Sequence, residues 1–384
     1  MVWELKKLGD VCEILDSLRK PITKKDRISG GYPYYGATGI VDWVNDYIFD
    51  EKLVLVGEDG AKWSSGDNTA FIVEGKIWVN NHAHVIRPIT NIVTHEWLTY
   101  HLVHLNLTKW VTGLTVPKLN QANLRSIPIP VPPLPEQKRI VAKLDKSFAE
   151  IDDCIRKTKD KLLHIDALAY KSIEEGLLKF ENNYETKSLS ETTTIQPNKK
   201  LALEKIGLKS DVSFMGMDSL GIEEQYSSSD EIRGCDEVYK SYQYFENDDV
   251  LLAKITPCFE NGKLSIASNL MNNIGFGSSE FVVIRPKKPL SKEFIYFNLL
   301  RKKFRDEGKK NMTGAVGHKR VTKDYIANKK ISIPPIDEQN LFTNRLEKIW
   351  ANTKLIKNFG MKKLKELALL KSAILKKELQ TETT

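Results

Sequence analysis

Two rhythms of hydrophobic positions alternate along this chain. Up to about residue 133 the apolar residues come in short β-branched and aromatic runs, as in Gly31-Tyr32-Pro33-Tyr34-Tyr35-Gly36, Leu53-Val54-Leu55-Val56-Gly57 and Lys76-Ile77-Trp78-Val79. Gly, Asn and Pro separate them, which predicts strands joined by turns. Thr94 is placed to cap a helix whose apolar face carries Trp97, Tyr100, His101 and Leu102. From Glu136 the period becomes helical. Leu144, Ile151, Thr158, Ile165 and Ser172 fall seven apart, as do Phe148, Ile155, Leu162 and Ala169, which predicts one long helix with a coiled-coil seam. Pro132 and Pro133 stop the preceding strand, and Glu136 suits the positive end of a new helix.

The pattern then repeats. Pro132-Pro133-Leu134-Pro135-Glu136-Gln137 returns as Pro334-Pro335-Ile336-Asp337-Glu338-Gln339, and Val85-Ile86-Arg87-Pro88 as Val283-Ile284-Arg285-Pro286. Glu96-Trp97-Leu98-Thr99-Tyr100 is answered by Glu293-Phe294-Ile295-Tyr296-Phe297. Matches in one order mark an internal repeat. Four segments follow: a head over 1–133, a helix over 134–180, a second head over 181–335 and a second helix over 336–380. Glu181-Asn182-Asn183-Tyr184 ends the first helix. The second runs through Leu346, Ile349, Thr353, Ile356, Leu367, Leu370 and Ile374, interrupted near Phe359 and Gly360 and frayed at its end. The expected fold is α+β: two α/β heads joined by two long antiparallel helices in a pseudo-two-fold repeat.

Composition narrows the class. The chain has 384 residues, 41% of them hydrophobic, enough for two or three cored domains. Lys and Arg exceed Asp and Glu by 58 to 50, a net +8, with an isoelectric point near 9.0. That excess suits a polyanionic partner, and it also suits solvated lysines on long helices. Cys12, Cys154, Cys235 and Cys258 show no metal or redox spacing, the start lacks a signal-peptide core, and no run is long and apolar enough for a membrane span. A reduced, cytoplasmic protein without membrane contact is expected.

The motifs resemble those of the specificity subunits of type I restriction-modification systems. The resemblance rests on Leu134-Pro135-Glu136-Gln137-Lys138-Arg139-Ile140-Val141, Tyr34-Tyr35-Gly36-Ala37-Thr38-Gly39-Ile40, Val56-Gly57-Glu58-Asp59-Gly60-Ala61, Trp78-Val79-Asn80-Asn81-His82-Ala83-His84 and Val116-Pro117-Lys118-Leu119-Asn120-Gln121-Ala122-Asn123-Leu124. It spans the chain and is looser in the second head, which keeps Lys319-Arg320-Val321 where the first has Pro117-Lys118-Leu119 but lacks an Asn-Asn-His-Ala-His string. The resemblance implies a non-catalytic reader of double-stranded DNA, one half of a split target per head. The helices would act as ruler and as dock for modification subunits, two of them, with restriction and translocase subunits joining through the complex.

Candidate DNA contacts follow from side-chain chemistry. Asn80, Asn81, His82 and His84 form a polar cluster; Asn suits adenine edges and His can donate to phosphates or base acceptors. Packing with turn hydrogen bonds, or a metal held by the two histidines, are the competing readings. Thr115, Lys118, Asn120 and Gln121 offer one cation and several donors for phosphates, or a cap for a short helix at 121–124. His318, Lys319 and Arg320 are the counterpart in the second head, with Lys254 and Lys263 as further cations. Asp59, Glu74 and Lys76 have the order of a Mg²⁺ nuclease set, so a stand-alone nuclease is the alternative. No phosphate loop and no dinucleotide or methyl-donor glycine motif is present, so no resident cofactor is expected and any methylation or cutting would come from partners.

Overall fold

The computed structural model describes residues 3–113, 115–315 and 317–379. The chain divides into two compact units, Met1–Lys159 with Gly360–Thr384, and Asp160–Phe359. Each contains one head and a stretch of both long helices.

In the first head, the strands Cys12–Ile14, Ala83–Pro88, Leu53–Gly57 and Ala70–Val73 form one antiparallel sheet in that order. A second sheet orders Gly39–Val44, Ser29–Gly36, Lys76–Val79 and Phe49–Asp50, with its middle pair parallel. The second head repeats this plan. Thr193–Ile195, Phe281–Pro286, Val250–Ala253 and Leu264–Ala267 form its first sheet, extended by Tyr226–Ser227. Ile232–Gly234, Asp211–Met215, Ile274–Gly277 and Gln243–Glu246 form the other, again with a parallel middle pair. Register coincides as well. Val54 pairs with Ile86 in the first head and Val250 with Ile284 in the second.

The helix after the first head's sheet is capped by Thr94 as expected, its Oγ1 accepting from the Trp97 amide at 3.2 Å, and the second head repeats the cap with Ser291 Oγ and the Phe294 amide at 3.1 Å. Trp97 is wholly buried and donates its indole N–H to the Pro130 carbonyl at 2.8 Å, so its large apolar surface is covered and its one polar atom satisfied. The repeated arginines are structural. Arg87 makes a two-pronged pair with Glu51 at 2.7 and 2.6 Å, and Arg285 one with Asp249 at 2.8 and 2.7 Å.

The long helices cover Leu134–Asn183 and Ile336–Leu379. Both start where paired prolines leave carbonyls free: the Glu136 amide donates to Pro133 O and the Glu338 amide to Pro335 O. They run antiparallel in both units. Lys143 pairs with Glu378 and Asp152 with Lys371 in the first; Asp166 pairs with Lys357 and Tyr184 donates to Glu338 in the second. Gly176 belongs where it does because the Phe342 ring lies over it; a Cβ would come within 2.2 Å of that ring.

Two details of the expected seam are corrected. Leu144, Phe148, Ile151, Thr158 and Ala169 are buried, but beyond Ala169 the buried row passes to Ile173 and Leu177, leaving Ser172 at the margin. A straight helix turns every 3.6 residues and drifts off a strict seven-residue repeat. The same drift leaves Ile356 and Leu370 exposed on the second helix, where Leu375 and Leu379 are buried instead. The expected interruption at Phe359 and Gly360 is absent, and the helix continues unbroken through both. One mid-helix glycine costs only about 1 kcal/mol, too little to break a packed helix. The end expected to fray, 380–384, lies outside the described residues.

Candidate functional site

In the first head, the polar cluster splits into a surface turn and a buried fixture. Asn80 is buried, and its Oδ1 accepts from the His82 amide at 2.8 Å, shaping the turn between Lys76–Val79 and Ala83–Pro88. Asn81 and His82 are exposed, with His82 Nδ1 against Asp59 Oδ1. His84 has 0% exposure, so its side chain cannot meet DNA directly, contrary to the expectation of contact. Its Nδ1 lies 2.6 Å from Asp16 Oδ2 and its Nε2 2.7 Å from the Leu119 carbonyl.

Asp16 also accepts from the Val85 amide at 2.9 Å and from Gln121 Nε2 at 3.1 Å. Arg19 donates to Glu58 at 2.5 Å and to the carbonyls of Ala83 and Asn81 at 2.8 and 3.4 Å. The other Glu58 oxygen meets Lys118 Nζ at 2.8 Å. Burial pushes both carboxyls up, but their partners outweigh it: His84, the Val85 amide and Arg19 hold Asp16 below the usual carboxylate range, and Lys118, Arg19 and His84 hold Glu58 below it. Both acids are therefore ionised at neutral pH.

Asp16, Glu58 and His84 bring ligand atoms within 4.8 Å of one another, a set that could hold a cation. The positive charge is already supplied: Arg19 and Lys118 sit on the carboxylates, and both ring nitrogens are engaged. A metal would have to displace them. The nuclease set does not assemble. Lys76 places its ammonium over the Tyr47 ring at 4.7 Å, Asp59 is held by His82, and neither Asp59 nor Glu74 joins a cluster of three such ligands among the described residues.

The segment Thr112–Gln121 begins as a tight loop. Thr112 and Lys118 pair as an isolated bridge, and Lys118 also bridges Asp59. Gly113 holds φ +98°, where a Cβ would strike the Val116 carbonyl at 2.4 Å. Thr115 and Val116 are exposed at its tip, and Asn120 caps the helix Gln121–Ser126 by accepting from the Asn123 amide at 2.9 Å. The second head builds the same hairpin from Met312–Thr313 and Arg320–Val321. Arg320 bridges Ile255 as Lys118 bridges Asp59, and the Val321 amide donates to Lys254 O as the Leu119 amide donates to Glu58 O.

Charge placement differs between the two. Arg320 is held by Glu280 at 2.8 to 3.1 Å. Lys254 donates to the Ser279 carbonyl at 2.9 Å, and burial lowers its pKa, helped by Lys323 and Arg320 against Glu280. Lys263 donates to the Met217 carbonyl at 2.9 Å. His318 and Lys319 are exposed. Asp16, Arg19 and Glu280 carry no motif of their own, and Glu58, though inside the Val56–Ala61 motif, is not singled out by it. Only the Val-Ile-Arg-Pro repeat could have flagged the strands beneath them.

No helix among the described residues is long and apolar enough to cross a membrane. The family model for the type I restriction modification DNA specificity domain matches residues 2–164 and 181–366. A specificity subunit assigned to a type I restriction enzyme of Haemophilus influenzae is 28% identical over 350 residues, covering 90% of this chain and 87% of its own. The EcoAI specificity subunit of Escherichia coli is 34% identical over 172 residues, 44% of this chain and 28% of its own. Among solved structures, a chain of a type I restriction-modification system in a study of its assembly and conformational transition aligns over 100% of this chain and 98% of its own, with TM-score 0.70 and 18% identity. The HsdS subunit from Thermoanaerobacter tengcongensis aligns over 99% and 97%, with TM-score 0.52 and 18% identity. Two like heads, each seated on a pair of antiparallel helices and each matched by the same family model, place the chain in the family of type I restriction-modification DNA specificity subunits.

Proposed function

We propose that this chain reads a bipartite double-stranded DNA target in the cytoplasm, one half-site by the head in residues 1–133 and the other by the head in 181–335. The observation that carries the reading is the repeated hairpin. Thr112 with Lys118, and Thr313 with Arg320, close loops beside the ends of equivalent strands, Leu53–Gly57 and Val250–Ala253, while the loop sequences differ. A common framework with unlike polar tips is what two readers of two sequences need. Asn81, His82, Thr115, Lys118, Gln121, His318, Lys319 and Arg320 are at least partly exposed there and supply the donors and cations. Lys254 and Lys263 lie deeper on the second head, bonded to carbonyls, and add to its positive field.

The paired helices set the spacing between half-sites and carry two modification subunits, through which restriction and translocase subunits join. Exposed apolar side chains support the docking role: Leu163, Leu168, Leu341, Phe359 and Met361 all face solvent. Methylation and cutting belong to those partners.

The test is methylome sequencing of a host carrying this chain with its methyltransferase, before and after residues 1–133 are exchanged for the head of a related protein. One half of a split methylated motif should change and the other persist. A swap that alters both halves in an assembled complex overturns independent reading.

A further inference from the structure

Three residues of the loop around Lys118 hang from three different side chains of the buried fixture. Glu58 holds the Lys118 ammonium at 2.8 Å, His84 faces the Leu119 carbonyl at 2.7 Å, and Asp16 accepts from Gln121 at 3.1 Å. The same fixture holds the Asn80–His82 turn. Arg19 donates to the Asn81 and Ala83 carbonyls, the Glu58 amide donates to the His82 carbonyl at 2.9 Å, and Asp59, next in the chain, meets His82.

We infer that Asp16, Arg19, Glu58 and His84 are positioning residues that lock the two reading loops of the first head to one another, and so determine the first half-site without touching DNA. The inference rests on the proposed DNA-reading role of that head. Its physical basis is coupling. Asp16 and Glu58 each touch Arg19, each reaches a loop residue, and all four side chains are largely withdrawn from water, where a charge left without its partner is costly and an alternative arrangement has few hydrogen bonds to offer. Base readout needs side chains held to within fractions of an ångström. A displacement of Leu119 or Asn81 would therefore appear as lost discrimination before it appears as lost folding. The second head has Val282 in the register position of His84, by the shared Val-Ile-Arg-Pro motif, and Lys254 in that of Glu58, and no such fixture forms there among the described residues, so the effect is confined to one half-site.

The experiment uses the assembled methyltransferase containing the full chain. Methylation rates are measured on the cognate target and on targets with one substituted base pair in either half-site, for wild type and for His84→Leu, Arg19→Ala, Arg19→Lys and Glu58→Gln. Discrimination at the first half-site should fall about tenfold in His84→Leu and Arg19→Ala, the worth of roughly one misplaced base contact. Discrimination at the second should stay as in wild type. Arg19→Lys, which keeps a donor near Glu58 and Ala83, should recover part of the loss. Equal discrimination at both half-sites in all four variants overturns the inference, as does a loss shared equally by the two halves. Should His84→Leu fail to assemble, the milder Glu58→Gln and the Arg19 pair decide. A first head whose exchange leaves the wild-type motif unchanged would instead overturn the reading on which the inference rests.

Discussion

Gln137 and Gln339 make the same hydrogen bonds, each within its own unit. Both are wholly buried. Gln137 accepts from the Thr94 amide at 2.9 Å and donates to the carbonyls of Ile92 and Pro132, both at 2.8 Å. Gln339 accepts from the Ser291 amide at 3.0 Å and donates to Pro289 and Pro334 at 3.1 and 2.9 Å. One amide thus ties the first turn of each long helix to the residue that caps the head's own helix. Gln137→Leu or Gln339→Leu keeps the bulk and strips partners from three backbone groups, one buried and two half-buried. At roughly 1 to 3 kcal/mol for each group left unsatisfied, partly relieved by relaxation, the loss should be about 3 kcal/mol. Denaturant melts of the two variants check it, and a midpoint like wild type would show the bonds to be dispensable.

If the hairpin cations face phosphates, Lys319→Ala and Arg320→Ala should each weaken binding to all DNA sequences alike, while Lys118→Ala should weaken binding and also cost discrimination at the first half-site, because it removes the partner of Glu58. Each lost contact should flatten the logarithmic salt dependence by about one unit. Binding titrations across a range of salt read this directly. An unchanged slope would return Lys118 and Arg320 to the purely internal ion pairs they make with Glu58 and Glu280.

A matched insertion of four residues in both long helices, near Lys157–Lys161 and near Met361–Lys365, adds about 6 Å to each. With one base pair per 3.4 Å, the unread gap in the methylated motif should lengthen by roughly one or two base pairs, with both half-sites kept. The extra four residues exceed one turn and add a rotation of roughly 40°, which DNA twist must absorb. The same gap in a variant that still modifies DNA would reduce the helices to docking surfaces.

His101 makes the first unit sensitive to acid. Its Nε2 donates to the Pro128 carbonyl at 3.2 Å and its Nδ1 is buried without a partner among the described residues. Burial pushes its pKa down to about 4 from 6.5, helped by His104 and opposed by the Pro128 bond. Between those values the unfolded chain binds the proton and the folded chain does not, so stability is full above pH 6.5, falls as pH drops toward 4, and loses nothing further from this group below that. At 1.36 kcal/mol per pKa unit the loss is roughly 3 kcal/mol. Denaturant melts at neutral pH and at the foot of this window measure it, and His101→Gln should shrink the difference by about that amount.

The helices, their starts and their caps were legible because each rests on contacts a few residues apart. Thr94, Asn120, the proline pairs and the heptad rows all act within one or two turns. The hairpin equivalence of Lys118 and Arg320 was legible from the repeat. The fixture was not, because it gathers Asp16, Arg19, Glu58, His84 and Lys118 across about a hundred residues with no spacing rule to link them. His84 resembled a surface residue for a specific reason. Its strand, Ala83–Pro88, lies between two others and is buried on both faces, so the usual alternation of buried and exposed positions gives no sign of which polar residue points inward. The seam drift past Ala169 is likewise invisible to a strict seven-residue count.

Glu58 and Lys254 occupy equivalent places, each giving its carbonyl to the hairpin amide, yet they carry opposite charge. In one head the acid beneath the hairpin cation comes from that place; in the other it comes from Glu280, the residue facing that place beside the adjacent strand. Backbone bonds alone carry the shared architecture at this rung, so the sign of the side chain there is free to vary. A change of charge at this place, matched by one at its partner, therefore leaves the backbone frame intact while altering the field that each hairpin presents.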